Sequence, residues 1–113
     1  MNSQAWINGI NVGITVCDAR GIIVEMNDQA AATFANEGGK ALLGKSFWEC
    51  HPEAAQKKIR RIMGTQASNC YTIEKNGVKK MIFQTPWHEK DAFAGLVEIS
   101  MVIPNAMPHF VRN

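Results

Sequence analysis

Residues 13–34 read GITVCDARGIIVEMNDQAAATF, and the way this stretch divides decides the fold. Two β-branched runs, 13–18 and 22–26, flank Ala19-Arg20-Gly21, and Gly21 offers the positive φ that a tight reversal uses. The first part is therefore a β-hairpin. Asn27-Asp28 then opens an alanine-rich segment. Asn27 suits an N-cap, because its side-chain oxygen accepts from the open amides of a first helical turn. Gly38-Gly39 stops this helix.

Towards the N-terminus, residues 3–10 (SQAWINGI) place Trp6, Ile7 and Ile10 at helical spacing, so residues 1–10 form a short amphipathic helical cap. On the other side, residues 40–47 (KALLGKSF) allow one helical turn closed by Gly44. The strongest helix spans 52–63. Pro52 fits its first position, where no amide hydrogen is needed. Glu53 lies at the positive end of the dipole, Arg60 and Arg61 near the negative end, and Gly64 just beyond. Ala55, Ile59, Ile62 and Met63 make its apolar stripe.

From residue 69 the period changes to two. Tyr71 and Ile73 alternate with Thr72 and Glu74, and Asn76-Gly77 is a strong hairpin signal. The return strand carries Met81, Phe83, Thr85 and Trp87 on one face, with Lys80, Ile82, Gln84 and Pro86 on the other. A polar loop, HEKDAF, leads to GLVEISMVIP, where Val97, Ile99, Met101 and Ile103 oppose Glu98 and Ser100. The apolar sets are expected to face the helices. Helix, two strands, small helices, a longer helix and three strands make an α+β domain with helices against one face of an antiparallel sheet.

Composition narrows the function. At 113 residues, one core suffices, so 1–113 is read as a single domain with a tail at 104–113. No apolar run approaches the roughly 20 residues of a membrane span, and no signal peptide opens the chain. A cytoplasmic protein with no membrane partner is expected. Three dispersed cysteines without a CxxC fit a reducing compartment. A net charge of +2 is too small to imply nucleic acid. The run Lys57, Lys58, Arg60, Arg61 lacks interleaved aromatics and reads as a solvated helix face.

Residues 48–53 (WECHPE) put Cys50 beside His51. Adjacent side chains diverge on either a helix or a strand, so the pair is neither a nucleophile with its base nor half of a metal site. No paired carboxylates or phosphate loop appear, and no enzyme is expected. Pro52 and Glu53 instead start a helix, with Cys50-His51 as the hinge before it.

The order of elements and their punctuation resemble the PAS sensor family along essentially the whole chain. The resemblance rests on three stretches: 13–34, LLGKSFWECHPE at 42–53, and the Gly-led final strand GLVEISMVI at 95–103. It implies a five-stranded antiparallel sheet of order 2-1-5-4-3 with helices cupped over one face. It also implies a sensor or interaction module that works through dimer or partner contacts. Flavin-binding light sensors that resemble this family carry Asn-Cys-Arg-Phe-Leu-Gln at the start of the long helix. FWECHPEAAQ lacks the residues that hold the flavin. A haem needs an axial imidazole aimed into an apolar cavity; His51 is the candidate, but its place before Pro52 favours a helix cap. No cofactor is required.

A pocket between helices and sheet would be lined by Phe34, Phe47, Trp48 and His51, by Ile59, Ile62 and Met63 of the long helix, and by Tyr71, Ile73, Met81, Phe83, Thr85, Ile99 and Met101 of the sheet. The same residues serve equally as a filled core. The function expected is a homodimeric sensor of a small, largely apolar ligand that acts on a separate partner protein. The alternative is a ligand-free interaction module that presents Leu96, Glu98, Ser100, Ile82 and Gln84 on the outer sheet face, with the helix around Trp6.

Overall fold

The computed structural model describes residues 5–47 and 53–113. A short helix α1 (Ala5–Gly9) precedes the hairpin β1 (Gly13–Asp18) and β2 (Ile23–Met26). Helix α2 (Asp28–Thr33) follows, then 3₁₀ turns at Ala35–Glu37 and Gly39–Leu42, then α3 (Glu53–Thr65). Strands β3 (Asn69–Lys75), β4 (Val78–Glu89) and β5 (Ala92–Ile103) complete the chain. All pairings are antiparallel and the strand order is β2-β1-β5-β4-β3, as the family resemblance implied.

The turns follow their residues. Asp18 Oδ1 accepts from the amides of Arg20 at 2.9 Å and Ile22 at 3.1 Å, and Gly21 has φ +85°. Burial pushes the Asp18 carboxyl up, but the hydrogen bonds from Ile22 and Arg20, with the Arg20 charge, bring it below the usual value. Asn76-Gly77 takes φ of +53° and +78°, the positive pair of a type I′ hairpin. The expected polar loop 88–93 is instead a two-residue turn. Lys90 and Asp91 adopt φ of +49° and +67°, so both strands run on through His88–Phe93 and Glu89–Ala92.

Asn27 caps α2 as expected, with Oδ1 accepting from the Ala30 amide at 3.0 Å. The α-helix is shorter than the alanine content suggests. Thr33 Oγ1 bonds back to the Gln29 carbonyl at 3.0 Å, and beyond it the chain tightens into 3₁₀ turns before Gly38 and Gly39.

Ile59 and Ile62 of α3 are buried with Ala30, Leu42 and Phe47 against Cys17, Ile23, Met26 and Leu96 of the sheet, and Met63 packs at the edge of this cluster. On the other side of α3, Lys57, Arg60 and Arg61 are exposed.

One expectation is reversed. In β4 and β5 the buried side chains are Ile82, Gln84, Leu96 and Glu98. These face the helices, and Met81, Phe83, Thr85, Ile99 and Met101 lie half-buried on the outer side. Alternation separates the two faces of a strand but does not say which is inside, and inverting it moves every side chain. The apolar-in rule fails here because this sheet carries its larger apolar set on the outer face and a polar row on the inner one.

Candidate functional site

The inner face is organised by register. Asn69 pairs with Gln84, Gln84 with Glu98, and Glu98 with Thr15, so four polar side chains stand in one row across β3, β4, β5 and β1. Alternation within each strand puts all four on the helix side. Gln84 is 1 % exposed, Thr15 2 % and Glu98 8 %. Burying such groups costs free energy unless they are hydrogen-bonded. The row supplies the bonds: Asn69 Nδ2 donates to Gln84 Oε1 at 3.1 Å, and Gln84 Nε2 donates to Glu98 Oε1 at 3.2 Å. Both amides point their donors towards the carboxylate.

A second row, Tyr71, Ile82, Ser100 and Gly13, lies alongside. Burial raises the Tyr71 phenol above its ordinary value, and the negative charge of Glu98 raises it further. Between the two rows and α2 lies a cleft of about 50 Å³ lined by Gly13, Thr15, Ala30, Thr33, Phe34, Ile82, Glu98 and Ser100. Gly13 faces α2 across the cleft, and a Cβ there would be in ordinary contact, 3.6 Å from the Ala30 backbone.

Of the residues expected to line a pocket, Phe34 borders this cleft, Tyr71 lies on the same sheet face, and Phe47, Ile59, Ile62 and Met63 belong to the adjoining core. Ile73 is exposed near the end of β3. Met81, Phe83, Thr85, Ile99 and Met101 are on the opposite face and do not reach the cleft. Thr85 Oγ1 instead pairs with Ser68 Oγ at 2.7 Å. Trp48, Cys50 and His51 lie outside the described residues. Ile82, Gln84, Glu98 and Ser100, expected on the outer face, form the site together with Thr15. Their signal was there: Glu98 and Ser100 interrupt an otherwise apolar strand at alternate positions.

The outer face of the central strands is largely apolar. Ile14, Ile99 and Phe83 form one row, and Val16, Val97 and Thr85 the next. The N-terminal helix flanks it: a groove of about 120 Å³ runs between Trp6, Ile7 and the strands at Ile14 and Val16. Trp6 is 62 % exposed. Asn27 Nδ2 ties this helix to α2 by donating to the carbonyls of Ile7 at 2.9 Å and Val12 at 2.7 Å.

Among the described residues no group of histidine, cysteine and carboxylate side chains could hold a metal ion, and no helix is long and apolar enough to cross a membrane. Cofactor sites usually measure about 300–1,000 Å³, well beyond this cleft as it stands.

Comparison with known proteins agrees with the geometry. The chain resembles, at 17% identity and a TM-score of 0.65, the PAS domain of a protein from Colwellia psychrerythraea, covering 87% of this chain and 91% of that one. A sensory box sensor histidine kinase from Vibrio cholerae aligns at 16% identity and TM-score 0.63, over 90% and 89% of the two chains. The Aer2 receptor of Vibrio cholerae, described as a dual PAS-heme oxygen sensor, aligns at 14% and 0.61, over 87% and 99%. These identities speak to fold alone. No curated protein matches the sequence. The family model described as the PAS fold matches residues 7–72, more than half of the chain, and with the strand order and the cupped helices it makes this chain a member of the PAS family.

Proposed function

We propose that this PAS domain is a sensor that takes a small ligand into the cleft between α2 and the sheet and signals through contacts of its outer sheet face. PAS domains are typically sensory and not catalytic, and related folds serve in sensor kinases and receptors. The observation that carries the reading is the buried polar row Thr15–Glu98–Gln84, continued by half-buried Asn69. A domain that only needed a filled core would gain more from apolar side chains there. Apolar walls with a few convergent polar groups are the composition of a ligand site. Phe34, Ala30 and Ile82 supply the apolar walls here.

The second reading, an interaction module, is favoured by the outer face around Phe83, Ile99 and Met101 and by the exposed Met107, Phe110 and Val111 of the tail. It is compatible with the first, since a homodimer or a separate partner on this face would carry the signal. Both fit a cytoplasmic protein.

Native mass spectrometry of the protein purified from its own host tests the sensor reading. A stoichiometric small-molecule adduct that is lost in Ile82→Trp, which fills the cleft, supports it. A bare mass, with unchanged amide spectra on addition of host metabolite extract, overturns it.

A further inference from the structure

One edge of the sheet is closed by the chain's own loop. The Ile23 amide of β2 donates to the Lys45 carbonyl and the Gly44 amide to the Ile23 carbonyl, both at 2.8 Å, and Ser46 bridges to Ile22. The opposite edge is β3, seven residues paired with β4 without a bulge. Among the described residues, Thr72, Ile73, Glu74 and Lys75 make no backbone hydrogen bond on its far side. Such an edge is a row of open N–H and C=O groups, a template for another strand. We propose that, independently of the ligand cleft, it takes an extended acidic segment of a partner protein as a sixth strand.

The side chains beside the edge say which strand fits. At the hairpin end of the inner sheet face, Ile73 and Val78 are each 45 % exposed and Val102 is 59 % exposed. Register sets Ile73, Lys80 and Val102 in one row, and Lys75 and Val78 in the next. A hollow of about 260 Å³ is lined by Ile73, Lys75, Asn76, Val78 and Lys80, with no carboxylate among them. Neither lysine has an ion pair or a side-chain hydrogen bond among the described residues. In strand addition, main-chain bonds supply affinity and alternate side chains supply specificity. An incoming strand with an apolar side chain opposite Ile73 covers exposed apolar surface. Its carboxylates on the same face meet the two ammonium groups.

Charge also decides between occupants. Antiparallel pairing of two copies of β3 would bring together Asn69, Tyr71, Ile73 and Lys75 on this face, with Glu74 on the other. None of those four is a carboxylate, so a second copy leaves Lys75 and Lys80 without counter-charge. An acidic segment supplies it.

The test uses the full chain, labelled with ¹⁵N, and four end-blocked seven-residue peptides at millimolar concentration. In the first, threonine at every second position alternates with glutamate, valine and glutamate. The second has lysine for glutamate, and the third has glutamine. The fourth is the first with its inner amides N-methylated, which removes the donors that a strand needs. The acidic peptide is expected to shift the backbone amide signals of Thr72 to Lys75, and the basic and methylated ones to leave them in place. The glutamine peptide should bind about three- to thirtyfold more weakly than the acidic one, as two exposed ion pairs allow. Lys75→Glu combined with Lys80→Glu should reverse the preference between the acidic and basic peptides.

Equal binding of the acidic and basic peptides would overturn the proposal, as would binding of the methylated peptide or no response at β3 to any of the four. An unchanged preference in the charge-reversed variant would do the same. Should that variant misfold, the four peptides on the wild-type chain decide alone. Amides of Thr72 to Lys75 that become protected from exchange as the chain alone is concentrated would give the edge to a second copy, and so overturn it too.

Discussion

The indole Nε1 of Trp87 donates to the carbonyl oxygen of Cys17 at 3.1 Å, reaching from β4 across β5 to β1. The strand between them makes this contact possible at Gly95. Gly95 pairs with both Trp87 and Asp18, has φ +148°, and a Cβ there would lie 2.0 Å from that same Cys17 oxygen. The sheet bulges next to it, between Trp87 and His88. Close backbone approach, a positive φ and a cross-strand indole bond therefore meet at one residue.

Gly95→Ala should consequently be among the most damaging single changes. The clash is with backbone, so the strands must move apart; a loss of about 3–4 kcal/mol is expected. Trp87→Phe keeps the ring and removes only the bond, and should cost about 1 kcal/mol. Urea denaturation measures both. Equal small losses would show that the approach of β1 to β5 relaxes easily.

Asn27 is buried and its amide makes four hydrogen bonds, accepting from Ile14 and Ala30 and donating to Ile7 and Val12. Asn27→Ala should cost about 3 kcal/mol, beyond the ordinary loss of a helix cap. Hydrogen exchange should also show α1 opening before the sheet does, because the tie at Ile7 is gone. Unchanged protection at α1 would remove Asn27 as its anchor.

Gln84→Leu is expected to cost about 1–3 kcal/mol, although it exchanges a polar residue for an apolar one of similar size in a buried position. The reason is that buried Glu98 loses a donor and half-buried Asn69 loses its acceptor in the row. A neutral or stabilising outcome in thermal denaturation would mean that the row contributes no stability.

Asp18 predicts the response to acid. Its folded-state value lies below the ordinary 3.8, so its stabilising effect is fully present above that value and is lost as pH falls through the folded one. Asp18→Asn should therefore lower stability at neutral pH, and the difference from wild type should shrink at acid pH. A constant difference across that range would show that the turn does not depend on the charge.

On the outer face, Phe83 and Ile99 are cross-strand neighbours at the centre of the apolar surface. If the proposed homodimer forms through this face, Ile99→Lys should lower the sedimentation coefficient to that of a monomer while circular dichroism stays the same, since the side chain is half-buried and a lysine stem can lie along the sheet. A wild-type chain that sediments as a monomer at every concentration would remove the homodimer from the reading.

Local chemistry made much of this protein legible in its sequence. Gly21, Asn76 and Gly77 mark turns because few other residues accept a positive φ. Asn27 marks a helix start because its short side chain reaches the open amides, and Ile59 and Ile62 mark the buried side of α3 because helical spacing puts them together. These signals, in order, were enough for the strand count and the family. The side of the sheet that faces the helices was not legible, because period two is the same on both faces. Only the assembled register put Gln84 between Asn69 and Glu98 and set Thr15 opposite, from four strands spread between residues 15 and 98. The sequence thus determined which elements form. Tertiary packing decided that a polar row, and not the methionine and phenylalanine set, became the floor of the cleft, because long-range pairing alone brings those side chains within hydrogen-bonding distance.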